Sequence, residues 1–240
     1  MGWHQRIYAF NLYNRDQWVA KQAKDIAAGS RVLDAGAGAG RYRSLFHHCE
    51  YRAQDFGQEP GTLGKYTKLD YQSDITNIPV PDGSFDVILC TEVLEHVPEP
   101  IKAIGEFSRI LKTGGRLLLT APLGSFLHQE PFHYYGGYTP YWYNKFLPEA
   151  GLRVEWIEAN GGFFCFFGQE AVRFSALIDP RRTWRAGWSW PLLTLLWMVT
   201  LPLLRGVFPL IGRSLDGRQL EKAATVGYHV RAIKTDSKMD

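Results

Sequence analysis

Arg31-Val32-Leu33-Asp34-Ala35-Gly36-Ala37-Gly38-Ala39-Gly40 is the stretch whose reading decides the fold. Val32 and Leu33 suit the interior of a parallel sheet, and the acid Asp34 follows them directly. Glycines then alternate with alanines, so the backbone can turn tightly and approach a ligand that any larger side chain would hold off. The pattern predicts a strand over 31–35 and a side-chain-poor turn. A helix over 41–48 should follow, its amide-rich end directed at the ligand. Taken alone, such a triplet is shared by dinucleotide binders and other proteins, so the rest of the chain has to discriminate.

Working outward, helix-like and strand-like segments alternate from residue 16 to 158, the mark of an α/β doubly wound, mostly parallel sheet. Helices are expected over 16–28, 101–111 and 140–150. Strands are expected over 51–55, 67–70, 85–90, 116–121, 152–158 and 224–233. Thr113-Gly114-Gly115 should stop the helix that precedes the strand at Arg116, the glycine supplying a left-handed turn.

With 240 residues, 45% apolar and 21% charged, the chain can bury one substantial core. The formal charge of +3 comes from scattered Lys and Arg rather than a basic stripe, so no nucleic-acid partner is indicated. Cys49, Cys90 and Cys165 have no metal-like spacing and read as reduced thiols of a cytoplasmic protein. The N-terminus lacks the charged-then-apolar layout of a signal peptide.

Residues 188–211 differ in character, being rich in Leu, Trp, Phe and Val. The uninterrupted apolar run Leu192–Leu204 is shorter than a bilayer span, and Pro191, Pro202 and Pro209 argue against a straight spanning helix. Three readings stand side by side: the segment covers the sheet, closes over the active site, or lies on a membrane surface.

Six separated elements carry a resemblance: Val32 to Arg41, Asp55, Asp74-Ile-Thr-Asn-Ile-Pro79, Pro81 to Cys90, Glu92-Val-Leu-Glu-His-Val97 and Leu111-Lys-Thr-Gly-Gly115. In that order and spacing they resemble the class I S-adenosylmethionine-dependent methyltransferases, most closely the bacterial small-molecule kind, over residues 28–160. The resemblance implies a Rossmann-like seven-stranded sheet, its last strand antiparallel, with an apolar helical C-terminal insertion. It implies one domain over 1–240: an N-terminal helical lid over 1–28, a donor-binding core over 29–160, the insertion over 163–223 and a final strand over 224–234.

The same resemblance assigns S-adenosylmethionine as cofactor and distributes its contacts. Asp34, Gly36, Ala37 and Gly38 would hold the methionine end, Asp34 through the ammonium group. Asp55 would grip the ribose, Phe56 would lie against the adenine, Asp74 would accept its amino group, and Ile75 would offer its amide. Thr91 and Glu92 would sit beside the sulfonium and the acceptor. Asp70 competes with Asp74 for the adenine, Gly40 suits helix–strand packing, and Asp86 and Cys90 read as structural. Lys112-Thr-Gly-Gly115 departs from the family's usual Lys-Pro-Gly-Gly but keeps the turn glycines.

Acceptor chemistry is expected in the loop Leu127–Gly137, where His128 is the first candidate base and His133 the second. Both could equally hydrogen-bond the loop into place. Glu92, Glu95 and His96 share a face at helical spacing and, with His128 or His133, could approach a divalent ion as in a minority of relatives. The reading assigns no metal, because many relatives carry the same run without one. Aromatic density in residues 3–13 and 134–143 suggests a water-excluding lid, or plain core.

The resulting expectation is a cytoplasmic methyltransferase acting, at oxygen, on a small-molecule or lipid-like acceptor, with peripheral contact through 188–211 at the inner face of the membrane as one of the three readings of that segment. Two rivals remain: an NAD-dependent oxidoreductase, for which no Tyr-x-x-x-Lys stands after the fourth or fifth strand, and a non-catalytic donor-binding or membrane-associated scaffold of the same fold.

Overall fold

The computed structural model describes residues 3–57, 66–180, 190–216 and 224–236. Its strands are β1 (Arg31–Ala35), β2 (Glu50–Asp55), β3 (Tyr71–Gln72), β4 (Phe85–Thr91), β5 (Leu111–Pro122), β6 (Leu152–Ala159) and β7 (Gly227–Lys234). The helices are α1 (Trp3–Tyr8), α2 (Phe10–Lys24), α3 (Pro100–Ile110), α4 (Pro140–Glu149), α5 (Phe163–Leu177), α6 (Trp190–Pro202) and α7 (Phe208–Asp216). Two compact units result: residues 15–158 with 227–240, and residues 1–14 with 159–226.

In the first unit the strand order is β3-β2-β1-β4-β5-β7-β6. The pairs β1–β2, β2–β3, β1–β4 and β4–β5 are parallel, and β7 runs antiparallel to β5, with Leu119 opposite Val230. This is the Rossmann-like sheet expected from the sequence. Val32 lies between Tyr51 and Val87 at the centre, where the chain leaves β1 for β2 on one side and returns to β4 on the other. Such a reversal opens a crevice past the carboxyl ends of the strands. Trp18, Val19 and Ala23 of α2 close one face of the sheet against Val32, Ala53, Leu89 and Leu118. Each fully buried aliphatic side chain there contributes about 1.5–3 kcal/mol.

Several elements differ from expectation. The helix expected over 41–48 is only a 3-10 turn, Arg43–Phe46. Arg41 is drawn to the carboxylate of Asp16, and the buried Tyr42 donates its hydroxyl hydrogen to the same group, so these two residues are committed outside any helix. The field of a helix terminus therefore does not arise at the glycine turn. The third strand falls at 71–72 rather than 67–70, because Asp70 docks through its side chain, accepting from Ala53 N–H at 2.9 Å. Helix α3 stops at Ile110 because Leu111 turns extended and enters the sheet opposite Phe85. Gly114, at φ +76°, consequently lies within β5 rather than ending the helix.

The second unit is helical. Asp216 caps α5 by accepting from Gly162 N–H at 2.9 Å and Cys165 N–H at 3.2 Å. Glycines let α5 and α7 approach closely: a Cβ on Gly212 would stand 2.4 Å from the Phe164 carbonyl oxygen. Pro202 and Pro209 do not break the apolar segment. A π-turn over Leu203–Val207 joins α6 to α7, giving 26 helical residues over Pro191–Asp216, long and apolar enough to cross a membrane. Against expectation, Pro202 and Pro209 lie within a continuous helical segment rather than ending it.

Candidate active site

The crevice ends of β1, β2 and β4 bring together the turn Gly36–Gly40, the acid Asp55 and the segment Thr91–His96. Asp55 is the hub of the first two. One of its oxygens accepts from Gly38 N–H at 2.9 Å and the other from Gly57 N–H at 3.0 Å. Gly38 has φ +49°, and a Cβ added to it would meet nothing within 4 Å. Gly36 and Gly40 are filled instead: added Cβ atoms would collide with Val93 at 2.4 Å and Thr67 at 2.9 Å. The amides of Gly36 and Ala37 both donate to the carbonyl of Gln54 at 2.9 Å, so the turn is braced on β2.

Asp34 lies beneath that turn, buried on the face shared with Tyr51 and Ala53. Tyr51 OH donates to its Oδ2. Burial pushes the carboxyl up to about 6, and the nearby charge of Asp55 adds to this, against the pull of the Tyr51 hydrogen bond and of Arg43. Phe56 exposes 44% of its surface and meets Phe132 edge-on at 5.8 Å. Asp74 is exposed and closes a turn, accepting from Thr76 N–H and Thr76 Oγ1–H, each at 2.8 Å. Asp70 is occupied by Ala53 and Arg52. Ile75 buries its side chain.

Past β4 the backbone is strained. Thr91 ends the strand opposite Thr120, and Glu92 adopts φ +54°, a region costly for a residue with a side chain. Glu92 Oε1 accepts from Thr120 Oγ1–H at 2.8 Å, and Oε2 pairs with Arg15 at 3.1 Å. Arg15, Thr120, Gln54 and Tyr51 are partners that sequence reading missed. Only Glu92 itself carried a local signal, since the partners come from distant elements.

The segment Leu123–Tyr138 folds over these residues and is stitched to them. The amides of Tyr134 and Tyr135 donate to Glu95 O, at 2.9 and 3.2 Å, and Tyr138 OH donates to Leu94 O at 2.7 Å. Three imidazoles gather as a result. His128 lies 4.8 Å from His96 and 4.6 Å from His133, ring to ring. His133 Nε2 meets Ser125 Oγ at 3.0 Å, and burial with the neighbouring His128 lowers its pKa. Glu95 is 1% exposed, and burial together with the Glu92 charge pushes it up to about 8.

A Rossmann-like sheet with a glycine turn braced on β2 and an acid closing that strand defines the class of nucleoside-binding α/β enzymes, and the Glu92–His96 segment after β4 is among the elements that resemble methyltransferases. The family model described as "Methyltransferase domain" matches residues 3–173, and the chain belongs to that family. Among its relatives is an uncharacterized methyltransferase of Mycobacterium sp. (strain KMS), 30% identical over 210 residues, 79% of this chain and 77% of that one. A ubiquinone biosynthesis O-methyltransferase of Xanthomonas oryzae pv. oryzae is 36% identical over 103 residues, 39% of this chain and 43% of that one. A Haemonchus contortus phosphoethanolamine N-methyltransferase in complex with S-adenosyl-L-methionine shares the fold at TM-score 0.55 and 17% identity, over 93% of this chain and 53% of that one.

The protein is a methyltransferase that uses S-adenosylmethionine. Its residues fit that donor: the empty volume over Gly38 is a cradle a Cβ would occupy, and an acid and an exposed aromatic ring stand beside it.

Proposed function

We propose that this methyltransferase modifies a hydroxyl oxygen of a small, lipid-like acceptor at the cytoplasmic face of a membrane. The observation that carries this reading is the His128–His133 pair, held on a segment whose Phe126, Leu127 and Tyr134 side chains are exposed. A proton acceptor with an apolar rim suits a hydroxyl attached to an apolar body. The O-methyltransferase named among the relatives agrees with an oxygen acceptor.

When bound, S-adenosylmethionine supplies an electrophilic methyl group, so the protein's main task is to hold two reactants in line. Asp55 is placed to accept hydrogen bonds from a ribose diol with the lone pairs left over from Gly38 and Gly57. Phe56 offers a face to the adenine, and Asp74 with the Ile75 amide lies at the base's polar edge. Asp34 sets negative charge beneath the turn for an ammonium group, and Gly36, Ala37 and Gly38 keep that path free of side chains. Thr91 and Glu92 border the reacting centre, where the Thr120 and Arg15 contacts fix the Glu92 carboxylate. His128 and His133 are the groups within the acceptor segment that would take up the hydroxyl proton.

Membrane contact rests on α6 and α7. Leu192, Leu195, Leu196, Met198, Val199 and Leu203 are exposed. Several polar groups along this stretch are bonded within the unit: Arg205 Nε donates to Ser175 Oγ at 2.7 Å, Trp197 Nε1 donates to Ser175 O at 2.9 Å, and Thr200 bonds its own helix, while Arg205, Arg213 and Ser214 keep exposed surface toward the C-terminal end. The exposed apolar face of α6, Leu192 to Val199, suits hydrocarbon better than water, with the cations Arg205 and Arg213 beyond its end.

Titration calorimetry with S-adenosylmethionine and with NAD, followed by detection of S-adenosylhomocysteine with a panel of phenolic and lipid hydroxyl acceptors, tests the reading. Donor binding with turnover on that panel is expected. Binding of NAD instead, or donor binding without product, would reject it in favour of an oxidoreductase or a scaffold.

A further inference from the structure

We infer that Glu95, His96 and His128 form a binding site for a divalent first-row transition-metal ion of the zinc class. One ligand atom from each lies within 4.8 Å of the other two. Glu95 Oε2 is buried without a hydrogen-bond partner, and such an orphaned oxygen is costly unless a cation or proton satisfies it. Its second oxygen stands 3.8 Å from His96 Nε2.

The tautomers of both imidazoles point the same way. His96 Nδ1 contacts Phe132 O at 2.5 Å, and His128 Nδ1 contacts Phe126 O at 2.8 Å. A carbonyl oxygen can only accept, so in each ring the proton sits on Nδ1 and the lone pair on Nε2. Histidine ligands in metal sites are oriented by this arrangement, an outer N–H given to a backbone carbonyl and the other nitrogen given to the metal.

Two imidazoles and one carboxylate suit zinc, iron, cobalt or nickel, whereas magnesium and calcium prefer oxygen throughout. Donors about 2 Å from a tetrahedral ion lie roughly 3.3 Å apart. The site must therefore contract, and the exposed His128 is the ligand free to move inward. Three protein ligands leave a fourth position for an outside oxygen, as in zinc sites that do chemistry rather than hold a fold. His133 is outside the ligand set and keeps its contact with Ser125.

On the proposed reading of a hydroxyl acceptor, on which this use of the site rests, the ion divides the work of the two histidines: His128 holds the cation and His133 takes the proton. The ion's presence is testable without turnover. Metal-free full-length protein titrated calorimetrically with zinc chloride should bind one ion per chain. His128→Ala, a surface change that leaves the core intact, and Glu95→Gln should each weaken binding at least tenfold. His47→Ala, on an unrelated surface, should not. Cobalt(II) in place of zinc should show the intense visible bands of a four-coordinate site, lost in His128→Ala. The inference is overturned by absence of saturable zinc binding, or by affinity unchanged in both variants. Titration with S-adenosylmethionine in parallel keeps the two readings apart, since a failure to bind the donor counts against the methyltransferase assignment alone.

Discussion

Asp55 and Gly38 are joined by a 2.9 Å hydrogen bond that ties the end of β2 to the glycine turn after β1. The carboxylate that would grip the ribose thus also shapes the turn that leaves room for the donor. Asp55→Asn keeps one carbonyl oxygen for the turn but removes the charge and half the acceptors. Donor affinity measured by calorimetry should fall at least tenfold, about 1.4 kcal/mol, while thermal unfolding stays two-state. Unchanged affinity would remove the ribose assignment.

Gly36 and Gly38 should respond oppositely to alanine. At Gly38 the added methyl enters open volume, so the fold loses only about 1–2 kcal/mol from the left-handed backbone, while donor binding is blocked. At Gly36 the methyl strikes Val93 at 2.4 Å, so stability falls further, by roughly 2–4 kcal/mol when overpacking adds to backbone strain. Chemical denaturation and donor titration of both variants separate the effects. Equal loss of donor affinity at equal stability would contradict the geometry.

Asp34 makes stability depend on pH in a defined direction. Its folded pKa, about 6, is above the ordinary value of 3.8, so the stabilising effect of the protonated group is full below pH 3.8 and is lost as pH rises through 6. Near pH 7 the buried carboxylate costs roughly 3 kcal/mol. Asp34→Asn can still accept the Tyr51 hydroxyl, so its melting temperature should exceed that of the parent at pH 7.5, with a smaller gap at pH 5. A gap independent of pH would show that Asp34 does not titrate in this window.

His133→Ala should lower kcat by a factor of about 10²–10⁴ with the donor's dissociation constant unchanged, because a base acts on the acceptor's proton and not on donor binding. Full turnover in this variant would leave His133 a loop-holding residue through Ser125.

Leu195, Leu196 and Val199 are 55%, 57% and 64% exposed. Replacing the three with Glu removes apolar contact and adds charge without touching a buried group. Flotation with anionic liposomes should recover the parent protein at the top of the gradient and leave the triple variant at the bottom. Co-migration of the variant with lipid would sink membrane docking through this helix.

Strand β1, the glycine turn after it and the acid closing β2 were legible because they are local. Strand β1 appears within the expected residues, and the glycine turn and Asp55 follow it at short range, where backbone sterics and apolar runs dominate. Elements whose ends depend on distant partners were read less well. The helix expected over 41–48 gives way to a 3-10 turn because Asp16 captures Arg41. The proline-containing segment stays helical through the π-turn Leu203–Val207, and Tyr8 OH donates at 2.7 Å to the Arg205 carbonyl, which Pro209, lacking an N–H, cannot serve.

By itself, then, the sequence determined the alternation of strand and helix, the glycine turn after β1 and the methyltransferase class, since side-chain size, backbone freedom and polarity act over a few neighbouring positions. Only the tertiary structure decided which atoms face one another on the acceptor side. Glu92 meets Arg15 and Thr120, and Glu95 and His96 meet His128, across separations of tens of residues along the chain. Those meetings depend on the register of β4 against β5 and on hydrogen bonds from the 123–138 segment to Leu94 and Glu95, interactions that no local spacing encodes.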